Sequence, residues 1–243
     1  MHVVQPAEVV ADHDRQQTHS RLLLIAPPNS YRTVSYLESA RRQGVDVLIA
    51  SEGEHSLVGA IASGLHVDLN TPQALDLLLQ ANAERPFNGV VATDDTTVEL
   101  GSRIAEALDL PHNPPQAALY SHRKDLSRQV LQTAGVRVPG FRVLDLGREI
   151  SVQLEGLDLP CVVKPLPLSA SRGVIRADTL PDVLSACGRI KSILDAEGLA
   201  DDYVRSHVLA ETFIPGAEVA LEGLLHRGKL EVLAIFDKPD PLE

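Results

Sequence analysis

The sequence predicts an α/β protein in two parts, a doubly wound parallel-sheet domain followed by an α+β domain. Three observations carry that expectation. Short apolar runs, "LLLIA" at 22–26, "VDVLIA" at 45–50, "LHVDL" at 65–69 and "GVVAT" at 89–93, recur with amphipathic stretches between them. Continuous runs of this kind suit strands buried on both faces and joined by helical crossovers. "LPHNPPQAA" at 110–118 then breaks the rhythm with its prolines and marks a boundary. Further on, "HVLAETFIPGAEVALEGLLHRGKLEVLAIFDK" at 207–238 alternates as antiparallel strands do.

Taken in order, residues 1–20, "MHVVQPAEVVADHDRQQTHS", are polar without a sustained period and read as a mobile leader; His2, His13 and His19 lack ligand spacing. A helix over 33–43 is predicted by Val34, Leu37 and Ala40, with Gly44 as its C-terminal cap. A second, over 71–81, has Thr71 to cap it and Pro72 at its first position, where a missing N–H costs nothing. A third, over 95–108, carries Val98, Ile104, Ala105 and Leu108 as one stripe. The first strand does not lead into a G-x-G-x-x-G motif. It runs into "APPNSYRT", a plain strand-to-helix turn in which Asn29 and Ser30 are weak anion candidates, so a dinucleotide-binding domain is disfavoured.

After the boundary come a helix over 124–134 closed by Gly135, an apolar strand ending at Lys164, and a helix over 181–197 carrying Val183, Leu184, Ile190 and Leu194. A strand ending near Thr212, a Pro215-Gly216 turn, a strand over 218–226, an Arg227-Gly228 turn and a strand over 229–237 complete the pattern. The expected division is a leader over 1–20, a first domain over 21–118 and a second over 119–243, with a small covering lobe at about 158–213.

Composition narrows the functional classes. Lys plus Arg number 22 against 33 Asp plus Glu, a formal charge of -11, which argues against a nucleic-acid or anionic-membrane surface. Aromatic residues are 3% and tryptophan is absent, which disfavours a base-stacking platform. The two cysteines, Cys161 and Cys187, lack a metal-type spacing and read as core residues of a cytoplasmic protein, and no apolar run reaches about 18 residues. Any phosphate site is therefore local. Oligomeric state stays open, a homo-oligomer among the options.

The most informative stretch is "VVKPLPLSASRGVIRAD" at 162–178. Lys164 ends an apolar strand, which holds its stem against a sheet and presents a point charge suited to phosphate. Ser169, Ser171 and Gly173 form a small-residue loop whose N–H groups and hydroxyls could wrap phosphate oxygens, with Arg172 as a forked donor. Alone, the stretch is as well read as a surface hairpin. Glu211, a carboxylate in the apolar "VLAETFI", needs a donor partner. An adenine amino group would be one. Glu218, beyond the turn, could accept from two ribose hydroxyls, whereas Lys124 alone reads as a helix-surface lysine.

In combination these features resemble the ATP-grasp family. "HRKDLSRQVLQTAGVRVP" with Lys124, "LPCVVKP" with Lys164, the loop "LSASRGV" and "ETFIPGAE" with Glu211 and Glu218 occur in the family's order, and the resemblance covers residues 21–243. It implies a pre-ATP-grasp domain followed by an ATP-grasp domain. It implies that Lys124 and Lys164 contact nucleotide phosphates under the loop from Ser169 to Gly173. Glu211 would receive the adenine amino group, the Phe213 and Ile214 backbone would read the adenine edge, and Glu218 would take the ribose. Lys238 is either on the γ-phosphate side or an exposed turn lysine.

The implied chemistry is ligation with ATP and Mg2+, in which a small-molecule carboxylate becomes an acyl phosphate that an amine or similar nucleophile attacks. The family's magnesium ligands lie beyond the second pair of strands, and Glu222 and Glu231 read as solvent-facing residues. The expectation is therefore the N-terminal part of such a ligase, a truncated product or fragment with its ATP-grasp domain incomplete. The alternative is a nucleotide-binding module or inactive pseudoenzyme that lacks the magnesium site. A purely structural α/β domain is weaker still, since it leaves Glu211 without a purpose.

Overall fold

A computed structural model describes residues 20–28, 30–52 and 63–238. The leader up to residue 19 and Asn29 of the first turn lie outside the described residues. The chain divides into two compact units after Ala118.

In the first unit the strands are β1 (Arg21–Ile25), β2 (Asp46–Ser51), β3 (Ser63–His66) and β4 (Gly89–Ala92), all parallel in the order β3-β2-β1-β4. The helices are α1 (Thr33–Arg42), α2 (Gln73–Glu84) and α3 (Val98–Ala107). Leu23 and Ile25 pack with Leu78 of α2 and Ile104 of α3, whereas Leu24 and Ile49 pack with Leu37 of α1. Alternate residues of one apolar run thus bury against helices on opposite faces, which is why the run is continuous. This is the doubly wound arrangement.

Several local expectations shift. Thr33, Leu37 and Ala40 form the buried stripe of α1 and Val34 is exposed, because 33, 37 and 40 are stacked one above another while 34 is rotated about 100° away. Thr71 does not cap α2. Its hydroxyl donates to the Asp68 carbonyl at 2.9 Å, and the helix begins at Gln73 after Pro72. The third strand ends at His66, since Asp68 to Thr71 is already a turn held by Thr71 and by the Asp68 carboxylate, which accepts from the Asn70 N–H at 3.0 Å.

In the second unit α4 (Pro115–His122), which begins before the division, leads into α5 (Lys124–Thr133), β5 (Phe141–Asp145), α6 (Ile150–Gln153), β6 (Cys161–Pro165), β7 (Ile175–Ala177) and α7 (Leu180–Ala196). Then come α8 (Asp202–Ser206), β8 (His207–Thr212) and the hairpin β9 (Glu218–His226) and β10 (Lys229–Lys238). The strands β5-β8-β6-β7 form an antiparallel sheet in that order. Cys161, Val163, Val208 and Ala210 point to the face covered by α7, whose Val183, Ala186, Cys187, Ile190 and Leu194 are buried. Leu184 is exposed instead of joining them, because Ala186 and Cys187 occupy the helical phase that meets the sheet. A capping box between Thr179 and Asp182 starts α7. Both cysteines lie in this core.

Candidate nucleotide site

The face of the second sheet away from α7 carries the charged residues. Strands β6 and β8 are antiparallel, with Val162 opposite Glu211 and Lys164 opposite Leu209. Residues two apart share a face, so Lys164 and Glu211 are diagonal neighbours on the same side. Their side chains meet in an ion pair through Lys164 Nζ and Glu211 Oε2. The other carboxylate oxygen, Oε1, accepts from Arg128 Nε of α5. The Glu211 side chain is only 4% exposed. A carboxylate so far from water must be matched by donors on both oxygens, and here both are cationic.

Helix α5 organises the same region. Lys124 and Arg128 are one turn apart and share a face. The Lys124 ammonium donates to the carbonyl of Leu168 and, at 3.3 Å, to that of Leu166. Its backbone N–H also donates to the Leu166 carbonyl at 3.3 Å. Lys124 is thereby tied to the root of the small-residue loop. The preceding Arg123 grips the buried Asp125 with two bonds of 3.0 and 2.7 Å. Burial alone would lower the Arg123 pKa, but the bond and charge of Asp125 outweigh it and hold the guanidinium above its ordinary value.

The loop itself is exposed at Ser169, Ala170, Ser171 and Arg172. Ala170 and Ser171 have φ of 54° and 57° and Gly173 has 71°, so the chain coils through left-handed conformations at three of four positions. At Gly173 a Cβ would also stand 3.2 Å from Pro165 Cδ, which explains the glycine. Arg172 is drawn away towards Glu197, 2.7 Å from its Oε2.

Beyond β8 the Phe213 N–H donates to the Pro160 carbonyl at 2.9 Å, and the Phe213 ring lies under the Arg176 guanidinium at 4.4 Å. Ile214 is exposed. Glu218 faces Lys238 in the β9–β10 register and pairs with it, so Lys238 is a partner of the ribose candidate. The structure therefore gathers Lys164 and Glu211, sets Lys124 at the loop root, and leaves Glu218 on the hairpin and Arg172 on Glu197. Arg128 and Arg176 were not singled out by the sequence. For Arg128 a signal existed, its spacing of four from Lys124 on a helix. Among the described residues no three His, Cys, Asp or Glu side chains converge to hold a metal ion. Glu211, the carboxylate beside Lys164, has both oxygens taken by cationic partners, a donor set that does not suit a magnesium ion. No helix among them is long and apolar enough to cross a membrane.

Comparison with known proteins gives the family. Residues 37–112 match the ATP-grasp N-terminal domain family and residues 157–243 match the ATP-grasp domain family. The chain belongs to the ATP-grasp superfamily. The crystal structure of an L-amino acid ligase from Bacillus licheniformis superposes with a TM-score of 0.71 at 25% identity, over 92% of this chain and 52% of that one. Among curated sequences, a D-alanine–D-alanine ligase of Bordetella petrii is 26% identical over 77% of this chain and 55% of its own length. An uncharacterized protein of Sinorhizobium fredii is 27% identical over 70% of this chain and 36% of its own. This ATP-grasp chain thus spans between about a third and just over a half of these relatives. Lys164, the loop, Glu211 and Glu218 fall inside the matched ATP-grasp segment, whereas Lys124 and Arg128 lie between the two matched segments.

Proposed function

We propose that this chain binds ATP on the side of the β5-β8-β6-β7 sheet that carries Lys164 and Glu211, as part of an ATP-dependent ligase. The observation that carries the reading is the buried Glu211 carboxylate paired with Lys164 on a neighbouring strand, beside a loop of small residues rooted on Lys124. The ammonium groups of Lys124 and Lys164 suit the nucleotide phosphates, and the N–H groups and hydroxyls of Ser169, Ser171 and Gly173 suit phosphate oxygens. Arg172 would join them on leaving Glu197. Glu211 would accept from the adenine amino group, the Phe213 and Ile214 backbone would meet the adenine edge, and Glu218 would accept from the ribose.

In the reaction proposed, an oxygen of a substrate carboxylate attacks the γ-phosphorus and the bond to ADP breaks, giving an acyl phosphate. An amine or similar nucleophile then attacks the acyl carbon, and inorganic phosphate leaves. The residues of this chain neutralise phosphate charge and hold the nucleotide still, the two effects on which phosphoryl transfer most depends. Magnesium would supply further neutralisation of the phosphate charge, and Glu211, with both oxygens on cationic partners, is not placed to hold it. The L-amino acid ligase and D-alanine–D-alanine ligase relatives support small amino acids as the carboxylate and amine to test first. Incubation with ATP, magnesium, pooled amino acids and hydroxylamine tests the reading, because hydroxylamine converts an acyl phosphate into a hydroxamate. Hydroxamate and ADP formed in equal amounts are expected. Bound ATP without either product would favour a nucleotide-binding module.

A further inference from the structure

We infer that Arg128 is a positioning residue for adenine recognition, which it exerts by pinning Glu211. The inference rests on the proposed nucleotide site and concerns a side chain outside both matched family segments.

The two oxygens of one carboxylate have different partners. Oε2 of Glu211 is engaged by Lys164 and Oε1 by Arg128, and the carboxylate is 4% exposed. If ATP takes Lys164 for its phosphates, Oε2 loses its donor at the moment the adenine amino group arrives to replace it. The ion pair therefore stands in for the ligand at both ends, the ammonium for the amino group and the carboxylate for a phosphate. That exchange requires Glu211 to remain ionised and in place while its partner changes. Arg128 is the group able to do so. It bonds the opposite oxygen, and its guanidinium stays charged in any environment and bonds in a fixed plane. It also leaves from α5 one turn after Lys124, whose ammonium is bonded to the loop-root carbonyls of Leu166 and Leu168. A single helix thus orients the adenine acceptor and contacts the phosphate loop. A lysine at 128 would keep the charge but not the plane.

The test compares ATP with inosine triphosphate, which carries a carbonyl oxygen where adenine carries its amino group. Both nucleotides, with magnesium, are titrated into the 243-residue chain and its Arg128→Met, Arg128→Lys, Lys164→Met and Glu211→Gln variants. The unaltered chain is expected to prefer ATP by about tenfold or more, the loss typical of an unpaired buried charged group. Arg128→Met should remove most of that preference by weakening ATP, with inosine triphosphate little changed. Arg128→Lys should give an intermediate ratio, and Lys164→Met should weaken both nucleotides by the same factor. A merely structural Arg128 would weaken both equally. An unchanged ratio in Arg128→Met, or in Arg128→Lys should the methionine variant not fold, overturns the inference. If Glu211→Gln abolishes the preference while the Arg128 variants keep it, only the role of Arg128 falls. If the unaltered chain shows no preference, or Glu211→Gln keeps it, the adenine placement falls and this inference with it.

Discussion

Lys164 and Glu211, on adjacent antiparallel strands, are joined in an ion pair that leaves the carboxylate 4% exposed. Buried ion pairs add little net stability against an apolar alternative, because desolvation offsets their attraction, so the pairing is better explained by a use for both charges than by folding. Breaking such a pair from one side is another matter.

Stability should show that asymmetry. Lys164→Met or Arg128→Met alone leaves Glu211 one cationic partner and should cost about 1–3 kcal/mol. The double variant strands the carboxylate and should cost about 3–5 kcal/mol, and adding Glu211→Leu should recover much of the loss. Urea denaturation of the four variants beside the unaltered chain measures this. Equal stability of the double and single variants would contradict the pairing.

Gly173 is expected to be intolerant. Its φ of 71° disfavours any side chain, and a Cβ would stand 3.2 Å from Pro165 Cδ. Gly173→Val should destabilise by about 1 kcal/mol or more and increase proteolysis within 169–174. Limited trypsin digestion at Arg172 reads the second effect directly.

The cysteines give a pH prediction. Burial pushes the Cys187 thiol up from 9.0 to about 11 and raises that of Cys161. The folded state therefore favours the protonated thiol. The contribution of Cys187 to stability is intact below pH 9 and declines as pH rises towards about 11. Native protein at pH 8 should be alkylated by iodoacetamide far more slowly than unfolded protein, as mass spectrometry can follow. Rapid labelling of both cysteines in the native state would contradict their burial.

Glu218 should behave differently from Glu211. Its side chain is half exposed and its ion pair with Lys238 is a surface one. Glu218→Ala should change the melting temperature little. It should reduce the preference for ATP over 2′,3′-dideoxy-ATP, if its carboxylate accepts from the ribose hydroxyls as proposed.

Much of the fold was legible in the sequence because periodicity follows from burial. The four-residue core of "LLLIA" forecast a strand covered on both sides, and Leu23 and Leu24 do face opposite layers. β9 and β10 were located to within a residue by a different signal, the turn residues Pro215-Gly216 and Arg227-Gly228 around apolar runs, since both strands are exposed along nearly their whole length. What pattern could not supply was the choice among near-equivalent helix positions, such as Thr33 over Val34, which the facing strand decides. Nor could it supply partners distant in the chain. Glu211 was recognisable as a carboxylate in need of donors, but only the sheet register and α5 show those donors to be Lys164 and Arg128. Arg172 read as a phosphate donor from its place in the loop, and the end of α7 supplies it with Glu197 instead.

On the proposed reading, one nucleotide separates Lys164 from Glu211 by engaging both. Calorimetric titration of the chain with ATP and magnesium, beside Lys164→Ala and Glu211→Ala, tests it most directly. The unaltered chain is predicted to bind ATP, and each variant to weaken binding by about tenfold or more while remaining folded. ATP held equally well by both variants, or not at all by the folded chain, would contradict it.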